Sequence, residues 1–221
     1  TDGEMARLDA LAQEHGIPLI IDNAYGMPFP NIIYSDVTLN WHENIILCFS
    51  LSKVGLPGVR TGIIVAAPEV VKAVSSLNAI VNLSPTRFGA AIVTPLLQDG
   101  RLKQLSDDVI RPFYRNQAQT AVSLLKRELG AYPLKIHKPE GAIFLWLWFE
   151  NLPVSSQTLY EMLKAEGTLI IPGEHFFVGI DTQDYPHARE CIRMSIAQDA
   201  ETLEKGIAAI GRVVRGLYDA A

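Results

Sequence analysis

The sequence predicts an α/β domain with a mainly parallel sheet, followed by a smaller α+β domain. In the first half, the apolar runs IPLII at 17–21 and IILCF at 45–49 have the length and composition of strands buried on both faces. In the second half, short apolar runs alternate with amphipathic stretches around the strong strand pattern GAIFLWLWF. We place the boundary in the helical stretch near residue 100, which gives domains at 1–100 and 101–221.

The first element is a predicted helix. Thr1 and Glu4 have the spacing of a capping box, and apolar residues then recur on one helical face. Gly16 ends this helix, and the strand at 17–21 follows directly. A polar, proline-rich loop at 23–44 leads to the second strand.

Beyond the second strand, a loop rich in glycine and proline leads to a third strand at 61–66. Pro68 stands where the first turn of a helix tolerates proline, so VVKAVSSL is predicted to be helical. Two further helices are predicted from RFGAAIVTPLL and from the long stretch RPFYRNQAQTAVSLLKREL, which Gly130 ends.

The remaining elements alternate between strands and helices. The predicted strands are LKIHK, GAIFLWLWF, TLIIP and CIRMSIA. The predicted helices are TLYEMLKAEG and ETLEKGIAAIGRVVRGL. This pattern indicates a small sheet with helices, which is the α+β class.

The composition excludes several classes of function. The chain of 221 residues has a formal net charge of −5 and a pI of about 5.5, whereas broad nucleic-acid binding requires a basic face. Its longest apolar run, AIFLWLWF, is far too short to cross a bilayer, and the first residues do not have the pattern of a signal peptide. Cys48 and Cys191 lie in apolar surroundings, as expected for buried, reduced thiols. We therefore expect a cytoplasmic protein that binds neither nucleic acid nor membranes.

The stretch CFSLSKVGLPGVRTG supports two interpretations. Ser50 and Lys53 match the S-x-x-K of serine acyl-transferring enzymes, where this motif begins a helix. Here Gly55, Pro57 and Gly58 follow at once and are incompatible with that helix, and the K-T-G motif of those enzymes is absent. In the second interpretation Lys53 is the reactive group, because a lysine at the end of a buried strand is partly desolvated and its amine can attack a carbonyl.

Other chemically capable residues follow the same strands. Asp22 and Tyr25 come directly after the first strand, and Ser50, Lys53 and Arg60 follow the second. Because the carboxyl ends of parallel strands meet at one edge of a sheet, these side chains can face one crevice. The set suits pyridoxal phosphate, which needs an amine for its aldehyde, a carboxylate for its ring nitrogen, and groups that bind its phenolic oxygen and phosphate. The histidines show no metal-ligand spacing, and no G-x-G-x-x-G follows a strand, so neither a metal nor a nicotinamide cofactor is predicted.

The motifs D-x-A-Y, S-x-S-K and G-x-R-x-G, in this order, resemble those of the fold-type I pyridoxal-phosphate aminotransferases. The resemblance makes the first domain part of the family's large, cofactor-binding domain and implies a role for each residue. Asp22 would hold the pyridinium nitrogen, and Tyr25 would hydrogen-bond the phenolic oxygen. Lys53 would bond covalently to the cofactor and then carry the proton during transamination. Ser50 and Arg60 would bind the phosphate.

The resemblance extends through the second half. KPEGAIFLWLWF and LIIPGEHFF are similar to segments of the family's small domain, and Arg193 in CIRMSIA occupies the position of the arginine that binds the substrate α-carboxylate. Alternation with Ile192, Met194 and Ile196 places Arg193 on the other face of the strand. Several strings are most similar to members that transfer an amino group from valine to pyruvate, which gives alanine. The resemblance therefore implies a transaminase acting on an apolar L-amino acid and a 2-oxo acid.

The resemblance also implies what this sequence does not contain. The family has an additional N-terminal part, which includes a glycine-rich loop and a helix N-terminus that bind the cofactor phosphate. Family active sites lie at the interface of a homodimer. We therefore expect the 221-residue chain to be inactive by itself. Two other functions stay open, a lyase on the same scaffold and a non-catalytic effector domain of a transcription regulator.

Overall fold

The structure is a computed structural model that describes residues 2–35, 37–84, 86–182 and 184–221. It divides into two compact units, Thr1–Phe113 and Tyr114–Ala221. The sequence predicts a boundary near residue 100, whereas residues 101–113 belong with the first unit because Leu102 is part of its apolar core. Thr1 of the predicted capping box lies outside the described residues.

The described part of the first unit combines strands with helices. Its elements are, in chain order, α1 (Asp2–Glu14), β1 (Leu19–Asp22), β2 (Ile45–Ser50), β3 (Gly62–Val65), α2 (Pro68–Asn82), α3 (Phe88–Gln98) and α4 (Arg101–Leu105). A π-helical turn, Ser106–Ile110, connects α4 to α5 (Arg111–Leu129), which begins in the first unit and continues in the second.

The sheet of the first unit has the strand order β1-β2-β3. β1 and β2 are parallel, with Asp22 opposite Cys48 where both strands end. β3 is antiparallel to β2, with Gly62 opposite Ser50, and so departs from the mainly parallel arrangement. The reason is that the connection at 51–61 is shorter than the dozen or more residues that a parallel crossover needs. The amino end of β3 therefore lies at the edge where β1 and β2 end.

The prediction that β1 is buried on both faces is wrong. Ile20 is 64% exposed, and burial alternates along the strand. Within the described residues β1 is an edge strand, and only one of its faces is covered. β2 is the central strand, and its residues Ile45 and Leu47 are buried as predicted.

The second unit contains a four-stranded antiparallel sheet in the order β4-β5-β7-β6. Its described elements are, in chain order, β4 (Leu134–Ile136), β5 (Phe144–Phe149), α6 (Ser156–Ala165), β6 (Ile171–Pro172), α7 (Pro186–Arg189), β7 (Cys191–Ser195) and α8 (Ala200–Asp219). The predicted strands and helices of this half are confirmed to within a few residues, apart from the short helix α7, which the sequence pattern does not indicate.

One face of this sheet forms the core of the second unit. Leu145, Leu147 and Phe149 of β5 alternate inward and join Ile192 and Met194 of β7 in a cluster with α5, α6 and α8. The other face is partly exposed. Within the described residues, no helix has the length and apolar composition needed to cross a membrane.

Candidate active site

Lys53 lies on a tight turn at the end of β2. The strand ends at Ser50, and a 3₁₀ turn, Ser52–Val54, follows and stops at Gly55, whose φ is 92°. The backbone N–H of Ser52 donates to Ser50 Oγ at 3.2 Å, so the hydroxyl closes the turn. Since Val54 and the preceding Leu51 are buried, the turn is anchored on both sides of the half-buried Lys53. This geometry lacks the helix of the acyl-enzyme interpretation.

The loop after β1 is equally constrained. The backbone N–H of Ala24 donates to Asp22 Oδ1 at 3.1 Å, which holds the carboxylate at the strand end. The buried side chain of Asn23 donates from Nδ2 to the Met27 carbonyl at 2.5 Å. Gly26 closes the loop where a Cβ would lie 2.0 Å from Asn23 Oδ1. These contacts fix the backbone on both sides of Tyr25.

A shared apolar core brings the two loops together. Phe29 of the first loop packs with Leu51 and Val54 of the second, and its ring lies 5.7 Å from that of Phe49. Above this core, Lys53 Nζ lies 5.6 Å from the centroid of the Tyr25 ring, within cation–π distance. The amine and the phenol that the sequence predicts for one site are therefore neighbours.

Arg60 lies at the same edge because β3 is antiparallel. Its φ of 46° is in the left-handed region, and its Nη1 donates to the Pro57 carbonyl of its own loop at 3.3 Å. Gly89 at the start of α3 approaches so closely that a Cβ would lie 2.0 Å from Thr61 Oγ1, which fixes the residue after Arg60. The exposed guanidinium can donate hydrogen bonds to a bound anion.

The pKa of the Cys48 thiol is affected by its surroundings at this edge of the sheet. It lies opposite Asp22 on the neighbouring strand. Burial raises the pKa of the Cys48 thiol, and the nearby Asp22 carboxylate raises it further. The thiol is therefore neutral at physiological pH.

Arg193 belongs to the second unit, in the middle of β7. It lies opposite Trp146 of β5 on one side and Ile171 of β6 on the other. Its guanidinium carbon is 4.1 Å from the centroid of the Phe144 ring and 4.8 Å from that of Phe176. Arg193 Nε is buried without a hydrogen-bond partner, and among the described residues no carboxylate forms an ion pair with this arginine.

One supporting residue was missed by sequence reasoning. Arg111 at the start of α5 donates from Nη1 to the Asn31 carbonyl at 3.1 Å, to Asn31 Oδ1 at 2.7 Å and to the Ile33 carbonyl at 2.7 Å. Asn31 Nδ2 in turn donates to Asp107 Oδ1 at 2.6 Å. This network ties the second half of the Tyr25 loop to the helices. No local pattern could have indicated it, since its members are far apart in the chain.

The groups at the sheet edge fit pyridoxal phosphate. They comprise an amine, a carboxylate, a phenol, a hydroxyl and a guanidinium, the types of group that this cofactor requires; the residues are Lys53, Asp22, Tyr25, Ser50 and Arg60. Their individual roles toward the cofactor stay predictions. Among the described residues, no group of three or more His, Cys, Asp or Glu side chains is placed to hold a metal ion.

Comparison with known proteins identifies the class to which this fold and these groups belong. Residues 2–210 match the family model "Aminotransferase class I and II", so the chain belongs to that family. It is 47% identical over 207 residues to the valine–pyruvate aminotransferase of Escherichia coli K12, a match that covers 94% of this chain and 49% of that protein. The chain spans about half the length of the curated relatives that it matches.

Two solved structures have the same fold. The valine–pyruvate aminotransferase AvtA of Salmonella typhimurium LT2 superposes with a TM-score of 0.93 at 43% identity, over 100% of this chain and 57% of that one. The α-aminoadipate aminotransferase LysN of Thermus thermophilus, in complex with N-(5'-phosphopyridoxyl)-L-leucine, has a TM-score of 0.81 at 25% identity, over 98% of this chain and 55% of that one. The predicted α/β fold class and the resemblance to fold-type I aminotransferases are confirmed.

Proposed function

We propose that the full-length protein is a pyridoxal-phosphate-dependent transaminase that moves the amino group of L-valine to pyruvate and forms alanine. The observation that carries this proposal is the placement of the Lys53 amine 5.6 Å from the Tyr25 ring, at the strand edge that also bears Asp22. The choice of valine and pyruvate is supported by the 47% identity to a valine–pyruvate aminotransferase.

Each residue has a chemical task in this proposal. When bound, pyridoxal phosphate supplies an electron sink that makes the Cα proton of an amino acid acidic. Lys53 holds the cofactor and then moves the proton at Nζ, and the Asp22 carboxylate keeps a proton on the ring nitrogen. The Tyr25 hydroxyl donates to the phenolic oxygen. Ser50 and Arg60 bind the phosphate.

Arg193 completes the set with a task on the substrate. Its guanidinium would bind the α-carboxylate of the amino acid through two parallel N–H···O bonds. It would do the same for the carboxylate of pyruvate, so one arginine serves both half-reactions. Side-chain selection for valine rests on weaker apolar contacts, because one methylene is worth only about 1–3 kcal/mol.

Borohydride trapping tests the central assignment. The full-length protein is loaded with pyridoxal phosphate, reduced and mapped by peptide mass spectrometry. We expect a pyridoxyl adduct on the peptide containing Lys53, its loss in Lys53→Ala, and its retention in the control Lys72→Ala on α2. An adduct that persists in Lys53→Ala would refute the assignment.

Product analysis separates the three candidate functions. Alanine and 3-methyl-2-oxobutanoate formed in equal amounts from valine and pyruvate support the transaminase. Release of pyruvate and ammonia from 3-chloroalanine, without amino transfer, would indicate a lyase. Adduct formation without turnover of any amino acid would favour the effector domain of a regulator.

The proposal includes a homodimer in the cytoplasm. The homodimer follows from the family resemblance, and the location is the expectation drawn from the composition. Light scattering on the full-length protein tests the assembly, and a monomeric mass with full activity would contradict it. Fractionation of cells, with activity followed in each fraction, tests the location.

A further inference from the structure

We propose that Phe144 and Phe176 are positioning residues that hold the Arg193 guanidinium ready for a substrate carboxylate. The inference deepens the proposed transaminase function and rests on it. The two rings lie 4.1 and 4.8 Å from the guanidinium carbon. Among the described residues, the Arg193 guanidinium contacts these two rings and forms no ion pair with a carboxylate.

Aromatic rings and a carboxylate have different effects on a neighbouring guanidinium. A carboxylate partner would neutralise the guanidinium and occupy the N–H groups that the substrate needs. An aromatic face attracts the cation through its quadrupole and leaves those N–H groups free. The ring contacts therefore restrict the orientation of Arg193 without competing with the ligand, which reduces the ordering that binding requires.

Space for a small carboxylate lies directly beside the cation. A cavity of about 280 Å³ within the second unit is lined by Arg193, Phe144 and Trp146, among others. Glu140 also lines it, but this carboxylate is paired with Lys138 at 2.7 Å. The buried Nε of Arg193 has no hydrogen-bond partner, so the cation has unused donor capacity.

Phe176 is placed by an unusually close backbone approach. It ends the 3₁₀ turn Gly173–Phe176, and Gly173 lies where a Cβ would come within 2.6 Å of the Cys191 carbonyl and 2.7 Å of the Ala188 carbonyl. Ser156 Oγ donates to Glu174 Oε1 at 3.4 Å, which connects the turn to α6. The turn is thus fixed against the beginning of β7, two residues before Arg193.

Phe144 is placed by the sheet itself. It is the first residue of β5 and lies opposite Ser195 of β7, two positions along the sheet from the Trp146–Arg193 pair and therefore on the same face. The Phe176 ring also packs edge-on against Trp146, with centroids 5.3 Å apart. The sheet and the turn therefore set the backbone positions of both residues, and Trp146 packs against the Phe176 ring.

Inhibition by 3-methylbutanoate, which is valine without its amino group, tests the inference in the full-length holoenzyme. We expect Phe144→Leu and Phe176→Leu each to raise its inhibition constant by about 3- to 30-fold, the range that one cation–π contact allows. We expect kcat to change less than about 2-fold and the cofactor to stay bound, because the reacting groups are untouched. Phe176→Tyr keeps the aromatic face and is expected to restore the wild-type constant.

Phe177→Leu is the matched control. Phe177 is the next residue in the chain and packs against Trp146, Tyr185 and His187 rather than Arg193. We expect its inhibition constant to equal that of the wild type. If both Leu variants bind 3-methylbutanoate as Phe177→Leu does, or if Phe176→Tyr is as impaired as Phe176→Leu, the inference is wrong. Failure of the wild type to form alanine would instead contradict the proposed function.

Discussion

Gly26 has no room for a side chain, and this constraint concerns the loop that carries Tyr25. A Cβ at this position would lie 2.0 Å from Asn23 Oδ1 and would disturb the Asn23–Met27 hydrogen bond. We expect Gly26→Ala to lower the free energy of unfolding by about 1–3 kcal/mol in urea titrations. The control Gly3→Ala meets no atom within 4 Å in α1, so it is expected to stabilise by up to about 1 kcal/mol. Equal stability of the two variants would contradict the steric argument.

The two cysteines are expected to differ in reactivity. Burial raises the pKa of the Cys191 thiol to about 11, from an ordinary value of 9.0, and the residue is 0% exposed. Cys48 is partly exposed, and burial and Asp22 raise its pKa as well. At pH 8 we expect iodoacetamide to modify Cys48 slowly and Cys191 only after unfolding, as peptide mass spectrometry can measure.

The raised pKa of Cys191 also gives a direction for stability. Below its ordinary pKa of 9.0, the thiol is neutral in both states and the folded state keeps its full stability. Above that pH the unfolded chain loses the proton first, so stability falls as the pH rises through about 11. Rapid labelling of Cys191 in the folded protein at pH 8 would show that its environment is not apolar.

Among the elements, the junction between the π-helical turn and α5 supports the Tyr25 loop. Arg111 donates to three acceptors on Asn31 and Ile33. Arg111 Nη2 also donates to the Tyr34 carbonyl at 3.5 Å. We expect Arg111→Lys to leave at least one of these acceptors without a donor, because the lysine side chain ends in one nitrogen instead of two. Hydrogen exchange of residues 23–35 should become about 10-fold faster, equivalent to about 1.4 kcal/mol of local stability.

Arg115→Lys provides the comparison for this prediction. Arg115 lies one helical turn further along α5 and is exposed. We expect exchange in the loop to be unchanged by this variant. Equal exchange rates in both variants would mean that Arg111 does not hold the loop.

Local sequence patterns predicted the helices and strands better than they predicted how these elements are arranged. The apolar runs of β2, β5 and β7 and the amphipathic stretch of α5 were found correctly because period and length are local properties. The direction of β3 and the exposure of β1 depend on which strands become neighbours, and hydrophobic pattern alone does not contain that information. The division of 101–113 between domains was likewise not visible in the pattern.

At the scale of the whole molecule, the two units have very different cores. The second unit has one extensive apolar cluster that includes residues of α5, β5, α6, β7 and α8. The buried cluster of the first unit comprises Phe29, Leu51, Val54, Val93 and Leu102. Its helix α2 exposes large apolar side chains, with Ile80 77% exposed. Burial of apolar area is the main source of folding free energy, so we expect the second unit to be the more stable one.

The difference between the two apolar cores predicts how the units behave when they are separated. We expect residues 111–221 to fold alone, with one cooperative thermal transition by circular dichroism, since they retain all of α5 and its core. We expect 1–110 to aggregate or to unfold without a cooperative transition, because of its exposed apolar surface. A cooperative transition for 1–110 and none for 111–221 would reverse the assignment of stability.

The candidate site was predictable only in part. Lys53, Tyr25 and Asp22 were predicted as site residues because three short motifs occur in a fixed order, and the structure places Lys53 Nζ 5.6 Å from the centroid of the Tyr25 ring. The rings around Arg193 could not be found in this way. Phe176 lies 17 residues before Arg193 and reaches it through a turn whose geometry depends on Gly173. Sequence indicates which groups are available, and packing decides which of them meet.

The position of Trp146 has an optical consequence. This indole lies opposite Arg193 in the sheet and packs edge-on against Phe176. Indole emission is sensitive to nearby charge, so an anion that neutralises Arg193 should alter the fluorescence of Trp146. If the other tryptophans, Trp41 and Trp148, were replaced by phenylalanine, the intrinsic fluorescence of Trp146 would report the binding of a carboxylate without an added dye.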